Sequence, residues 1–192
     1  MLITVEGLDG AGKSTLTAGL ARELGATVLR EPGGVELSER IRALVTDPGL
    51  HVDPRAEALL YAAARAQLVA ERLKPLLDAG ETVLLDRFVD SSLAYQGGGR
   101  ELGIEEIRAL NAFGTAGLAP DRTLLLRIDP ARGLARIAGR EADRLETAGA
   151  AFFARVAAAY DALAAAEPDR FVVLDAAQPP DAVLAAALEA LR

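Results

Sequence analysis

The 192-residue sequence predicts a three-layer α/β/α domain built on a five-stranded parallel sheet. Five short apolar runs alternate with segments of helical periodicity, the order that makes parallel sheets with right-handed crossovers. The runs are apolar with little alternation, as strands covered on both faces are. Between the first run and the first helical segment lies a glycine-rich loop, and strand, glycine loop and helix in that order form a phosphate-binding arrangement.

The first run is Leu2-Ile3-Thr4-Val5-Glu6. Beyond the loop, Leu16, Leu20, Ala21 and Leu24 recur at helical spacing, and Gly25 supplies a stop. A second strand is expected at Thr27-Val28-Leu29, followed by a turn at Arg30-Glu31-Pro32-Gly33-Gly34. Glu36 to Thr46 reads as a helix stopped by Asp47-Pro48. Asp53-Pro54, a cap followed by a proline at the first helical position, opens a long helix toward Asp78-Ala79 that ends at Gly80. Pro75 removes one intrahelical bond and is expected to kink the last turns. Leu59, Ala63, Ala66, Ala70, Leu73 and Leu77 form one apolar stripe, while Leu60, Ala64 and Leu68 lie off it. This helix is therefore apolar on more than one face. Thr82 to Asp86 reads as a third strand ending in a carboxylate, and Ile104 to Thr115 as a helix. Thr123 to Ile128 is the fourth strand, and Asp129-Pro130 caps the helix after it. An alanine-rich helix over Ala148 to Ala166, a fifth strand at Phe171 to Leu174 and a helix from Pro180 to Leu191 complete the pattern. No repeat or linker divides the chain, so one domain over residues 1–192 is expected.

The loop, Gly7-Leu8-Asp9-Gly10-Ala11-Gly12-Lys13-Ser14-Thr15, fits G-x-x-x-x-G-K-[ST]. Small residues let successive backbone N–H groups turn inward on a polyphosphate, and a side chain at Gly10 or Gly12 would crowd that approach. Lys13 places a compact positive charge near the β/γ oxygens, and Ser14 is positioned to ligate Mg²⁺. The following helix points its partly positive N-terminus at the anion. The expectation is a P-loop NTPase fold that binds a nucleoside triphosphate.

A net charge of −7 argues against a nucleic-acid polymer as partner. Cysteine is absent, which excludes disulfides, thiolate metal sites and a thiol nucleophile. No apolar run approaches the roughly 18 residues of a membrane span, and no basic and apolar leader pattern opens the sequence. A cytoplasmic protein without membrane attachment is expected. His51 sits in a loop pattern and receives no role.

Asp86 falls at the C-terminal end of an apolar strand, where ligands bind in open α/β sheets and where P-loop proteins hold Mg²⁺ through a carboxylate. Its neighbour Arg87 has no use in a plain ATPase. A guanidinium beside the metal position suits a second phosphate, that of an acceptor.

The run Asp86-Arg87-Phe88-Val89-Asp90-Ser91-Ser92-Leu93-Ala94-Tyr95-Gln96, together with the P-loop, closely resembles thymidylate kinases, whose signature is D-R-[FY]-x-x-S-x-x-A-[FY]-Q. The turns at Arg30 to Gly34 and Gln96-Gly97-Gly98-Gly99-Arg100, and the late Asp143-Arg144-Leu145-Glu146, resemble the bacterial branch. The resemblance implies a nucleoside monophosphate kinase type of fold, ATP and dTMP as substrates, Mg²⁺ as cofactor and a homodimer. It implies that Tyr61 stacks on thymine and that Arg65, on the same helix face, bonds O4. Tyr61 stands where phenylalanine is usual, so its hydroxyl needs a partner. Gln96 would pair with the base edge with Ser92 nearby, and Tyr95 would press where a ribose 2′-OH would sit. Arg87, Arg42 and Glu31 match the dTMP-phosphate region, and Asp9 a carboxylate near the sugar 3′-OH. Some members carry an arginine inside the P-loop where this chain has Gly10. The resemblance then assigns the missing charge to a lid at about 133–147, through Arg136, Arg140 or Arg144. The Ser92, Tyr95 and Gln96 run argues against a different nucleotide or nucleoside kinase, and a P-loop regulatory ATPase that hydrolyses without an acceptor would leave Tyr61, Arg65 and Gln96 without use.

Overall fold

The three central apolar runs become strands whose residues leave water on both sheet faces, while the two outer runs keep Val28 and Val173 exposed at the sheet edges. The computed structural model describes residues 1–139 and 143–192. The strands are β1 (Leu2–Gly7), β2 (Thr27–Arg30), β3 (Val83–Asp86), β4 (Arg122–Arg127) and β5 (Phe171–Asp175). They form one sheet in the order β2-β3-β1-β4-β5, parallel throughout. The register sets Val5 opposite Asp86 and Arg30 opposite Asp86, so three strands end together beside the P-loop. Ile3, Val5, Leu84 and Leu124 feed the larger core cluster, whereas Leu2, Leu29, Val83 and Leu85 feed a second one with Leu68, Leu73 and Phe88. Alternate strand residues thus supply two layers, as the expected architecture requires.

Helices α1 (Lys13–Leu24), α2 (Glu36–Thr46) and α3 (Pro54–Leu68) follow the patterns that predicted them. Gly25 ends α1 with φ +62°, and Asp53 accepts the Arg55 N–H at the start of α3. The long helix continues through a π turn, Val69–Leu73, into α4 (Lys74–Asp78). There the Lys74 N–H reaches the Val69 carbonyl. The wider turn lies immediately before Pro75, where an α-helical ladder would lose a donor and crowd a carbonyl.

Two expectations change in tertiary context. On α3 the buried face carries Glu57, Ala58, Ala62, Ala64, Arg65 and Leu68. Leu59 is 57% exposed, and Ala63 and Ala70 of the same stripe also face outward. The second change is at residues 96–100, read as a glycine turn. The segment is helical, with α5 (Val89–Ser92) running into a π-helical stretch, Leu93–Gly99. Its glycines answer a packing need. A Cβ at Gly98 would sit 2.6 Å from the Ala159 Cβ, and one at Gly99 2.6 Å from the Phe152 ring. Those partners belong to α8 (Ala150–Ala166), which lies directly against the segment.

The remaining helices are α6 (Ile104–Thr115), α7 (Pro130–Ile137) and α9 (Pro180–Ala190). Among the described residues, no helix is long and apolar enough to cross a membrane.

Candidate active site

The P-loop joins β1 to α1 and brings its polar groups to the C-terminal edge of the sheet. Gly10 and Gly12 take φ of +76° and +98°, conformations that favour glycine. At Gly12 the surroundings are open, so backbone conformation alone accounts for it. At Gly10 a Cβ would meet the Gly133 carbonyl oxygen of α7 at 2.1 Å. The loop and α7 touch backbone to backbone, which is the physical reason this chain has no room for an arginine inside the loop.

Lys13 is buried and folds back on its own loop, donating to the carbonyls of Gly7 at 3.2 Å and Leu8 at 2.9 Å. Burial, reinforced by the Arg87 charge, pushes its ammonium down to about 8. Ser14 donates to Asp86 Oδ2 at 3.3 Å. A hydroxyl and one carboxylate beside the phosphate groove fit Mg²⁺, which takes one or two protein oxygens and completes its shell from phosphates and water. Among the described residues no three acidic or histidine side chains form a protein-only metal cage.

Arg87 occupies the left-handed region at φ +70° immediately after β3. Such a conformation costs about 1–3 kcal/mol in a non-glycine residue and persists where surroundings over-determine it. Here its N–H donates to the Val5 carbonyl at 3.0 Å. Its guanidinium donates to Asp9 Oδ1 (2.6 Å), Ser91 Oγ (3.1 Å) and the Gly7 carbonyl (3.2 Å), and lies 5.0 Å above the Tyr95 ring. Tyr95 donates its hydroxyl to Asp9 Oδ2 at 3.0 Å. Burial alone would raise the Asp9 carboxyl, but Arg87 and Lys13 overcome it and hold it at about 2.

Two cavities meet at this cluster. The first is an open groove of about 540 Å³ lined by Lys13, Ser14, Thr15, Asp86, Arg87 and Arg136, among others. The second, about 90 Å³, is lined by Tyr61, Arg65, Ser92, Tyr95, Gln96 and Leu145 with their neighbours. Asp9, Glu31, Arg42 and Arg87 line both. Arg42 is anchored by a bond to the Pro32 carbonyl at 2.9 Å. A larger groove of about 600 Å³ runs along β4, β5 and α8, but neither Lys13 nor Ser14 reaches it.

In the second cavity Arg65 is 2% exposed and every N–H of its guanidinium is engaged. Nε and Nη2 meet Glu31 Oε2 at 2.7 and 2.6 Å, and Nη2 also donates to the Phe88 carbonyl at 2.8 Å. Nη1 donates to Ser92 Oγ at 2.9 Å and to Asn111 Oδ1. Glu31 Oε1 is left buried with no partner among the described residues, and burial raises this carboxyl despite Arg65. The Tyr61 hydroxyl makes no hydrogen bond among the described residues, and burial raises it as well.

The two described lid candidates, Arg136 and Arg144, fall in different places. Arg136 donates to the carbonyls of Gly10 at 3.3 Å and Ala176 at 3.0 Å, beside the P-loop. Arg140 lies outside the described residues. Arg144 points away from the P-loop groove, into Glu57 Oε2 at 2.6 Å and the Val45 carbonyl at 3.0 Å.

Several supporting residues escaped sequence reasoning. Glu57, on the first turn of α3, drew no assignment from the sequence, yet it is fully buried. Asn111 on α6 read as part of an ordinary helix. Glu6 read as a strand residue; it accepts from the Phe88 N–H at 2.7 Å, Ser91 Oγ at 2.5 Å and the Tyr160 hydroxyl at 2.9 Å. Burial, with the charge of Asp90, raises its carboxyl to about 7. The only sequence signal for these is a polar residue inside an apolar pattern, which is too common to single them out.

Comparison with known proteins agrees with this geometry. The family model described as thymidylate kinase matches residues 5–187. The chain is 52% identical over 187 residues to a thymidylate kinase of Deinococcus radiodurans, covering 94% of this chain and 91% of the relative. It is 50% identical over 195 residues to one of Bifidobacterium longum, covering 97% and 94%. The crystal structure of thymidylate kinase from Ehrlichia chaffeensis superposes with a TM-score of 0.83 at 28% identity, covering 100% of this chain and 97% of that one. A glycine loop with its lysine, an Asp-Arg pair at the end of β3 and a match over nearly the whole length leave one conclusion: this chain belongs to the thymidylate kinase family.

Proposed function

We propose that the chain transfers the γ-phosphoryl group of ATP to the 5′-phosphate of dTMP, giving dTDP for dTTP synthesis. The observation that carries this reading is Arg87. It sits where the P-loop groove and the base cavity meet, tied to Asp9 and Tyr95, where an acceptor phosphate would face the donor. A coupled assay of ADP release, with and without dTMP, tests it. Release that depends on dTMP supports the kinase, and equal release without an acceptor supports a hydrolytic ATPase instead.

The acceptor oxygen is already ionised, so the reaction needs no covalent intermediate and no strong base. Positioning and charge neutralisation carry it. Lys13 leaves the Gly7 and Leu8 carbonyls to take the β/γ oxygens, and Arg87 and Arg42 hold the acceptor phosphate. Ser14 and Asp86 would hold Mg²⁺, which would supply charge neutralisation for the triphosphate. In the base cavity Tyr61 stacks on thymine, and Arg65 bonds O4 by sharing Nη1 now held by Ser92, whose hydroxyl can rotate away. Tyr95 faces the sugar, with Asp9 at its 3′-OH.

Because Gly10 admits no side chain, the lid segment between Gly133 and Thr147 supplies the arginine for the transferring phosphoryl. Arg136, already on the P-loop, is the described residue placed for it, whereas Arg144 anchors the segment to α2 and α3. Alanine variants of Arg136, Arg140 and Arg144 tested singly should show at least one kcat loss of roughly 10³ with a smaller change in dTMP KM, the pattern of an interaction made in the transition state. Losses below about tenfold in all three remove the lid from catalysis.

The outward stripe of α3 supports a two-fold homodimer. Leu59 is 57% exposed there, and Phe113 on the adjoining α6 is 91% exposed. A large apolar patch of this kind marks an interface, and two-fold pairs are the commonest closed assembly. Light scattering at micromolar concentration should give twice the chain mass, and Phe113→Asp should shift it toward the monomer. A wild-type monomer refutes the dimer.

A further inference from the structure

We infer that Glu57 is a specificity-determining positioning residue that fixes which end of the Gln96 amide faces the base; this rests on the dTMP kinase reading above. Glu57 is fully buried at the start of α3, and both its oxygens are spoken for. Oε2 accepts from Arg144 Nη2 at 2.6 Å and Arg100 Nη2 at 3.0 Å. Oε1 accepts from Arg100 Nε at 3.3 Å and from Gln96 Nε2 at 2.9 Å. Pinned between two guanidinium groups, the carboxylate offers acceptors only.

That asymmetry decides the Gln96 side chain. An amide can turn over and exchange its oxygen for its NH₂ at little intrinsic cost, so a neighbour must choose. Against a carboxylate, only the NH₂ end of Gln96 can be tolerated, because the other orientation would set two acceptors against each other in a buried place. Gln96 itself is 2% exposed and lines the base cavity, and its Oε1 has no hydrogen-bond partner among the described residues. The carbonyl end is thus presented as an acceptor before any nucleotide arrives. Thymine and uracil carry a donor at N3, and cytosine carries an acceptor there. Glu57 therefore reads the base without touching it.

The test is Glu57→Gln. The new amide has one oxygen, which the two arginines claim, and its NH₂ then faces Gln96. Gln96 must turn its Oε1 toward that NH₂ and its own NH₂ toward the base. The kcat/KM ratio of dTMP over dCMP should fall by about 10²-fold or more, as a hydrogen-bonding site loses its match to one base and gains one to the other. A purely structural Glu57 would lower both substrates alike and leave the ratio in place, which overturns the proposal. Where Glu57→Gln does not fold, the wild-type protein still decides. The side-chain amide protons of Gln96, identified by their absence in Gln96→Ala, should exchange slowly in the nucleotide-free protein because Glu57 already holds them. Ordinary solvent exchange overturns the proposal. A wild-type enzyme with no preference for dTMP over dCMP defeats the base reading itself. A clear wild-type preference with an unchanged ratio in the variant defeats only the role of Glu57.

Discussion

dCMP should be a poorer substrate than dTMP by roughly 10⁴–10⁵ in kcat/KM, while dUMP should trail dTMP by only about 10–200-fold. The difference in scale follows from what each base changes. Uracil keeps the thymine pattern of O4 acceptor and N3 donor and lacks one methyl, worth about 1–3 kcal/mol in an apolar pocket. Cytosine places an amino donor where O4 was, in front of Arg65, a group with donors only. It also places an acceptor at N3, in front of Gln96 Oε1. Both residues are 2% exposed, so water cannot repair either mismatch. Steady-state kinetics with the three monophosphates at one ATP concentration measure the order. Comparable kcat/KM for dCMP and dTMP would remove Arg65 and Gln96 from base reading.

Lys13→Ala should lose on the order of 10³ or more in turnover while folding at least as stably as the wild type. The ammonium is a charge for the phosphates; in the empty protein it donates to carbonyls of its own loop and lies 3.9 Å from Asp9 Oδ1, attractions that do not offset its burial. Its group sits at about 8 in the folded protein against an ordinary 10.5. Between those values the unfolded chain binds more protons, so wild-type stability should rise as pH climbs through that window. Below about 8 the folded protein bears the full cost of a buried charge, which the alanine variant lacks. The Tm advantage of Lys13→Ala should therefore be largest near neutral pH and shrink toward pH 10.5. Binding of ATP should draw this lysine back to full charge, with proton uptake of roughly half an equivalent near pH 8, read by calorimetry in two buffers. Wild-type-like turnover in a folded variant would sink the P-loop assignment.

The order of strands and helices was legible from sequence because it rests on local rules. A short apolar run, a proline after an aspartate and a glycine after the last apolar turn act within one element. The P-loop was legible for the same reason, since its chemistry lies in consecutive residues. The same holds for the Asp86-Arg87 pair and for the run through Gln96.

Tertiary contact decided the rest. The three glycines at 97–99 look like a turn along the chain but lie in a helical segment packed so closely that a Cβ would meet α8 at Gly98 and Gly99 and the Gly103-Ile104 backbone at Gly97. Which stripe of α3 turns inward depends on the cavity its polar residues must line, and no periodicity contains that information. Gly10 reads as a residue that makes way for phosphate, whereas the structure adds a second cause, the carbonyl of Gly133 on a distant helix. Arg136 and Arg144 are equivalent lid arginines in sequence, but one lies on the P-loop and the other is locked to Glu57. Sequence by itself determined the fold class and the family motifs from which the substrate-binding residues are proposed, because propensity, pattern and motif act at short range. Only the tertiary structure decided which donors remain unspent at the site and which buried carboxylates hold them, because burial and partner choice arise from segments that meet only once the chain has folded.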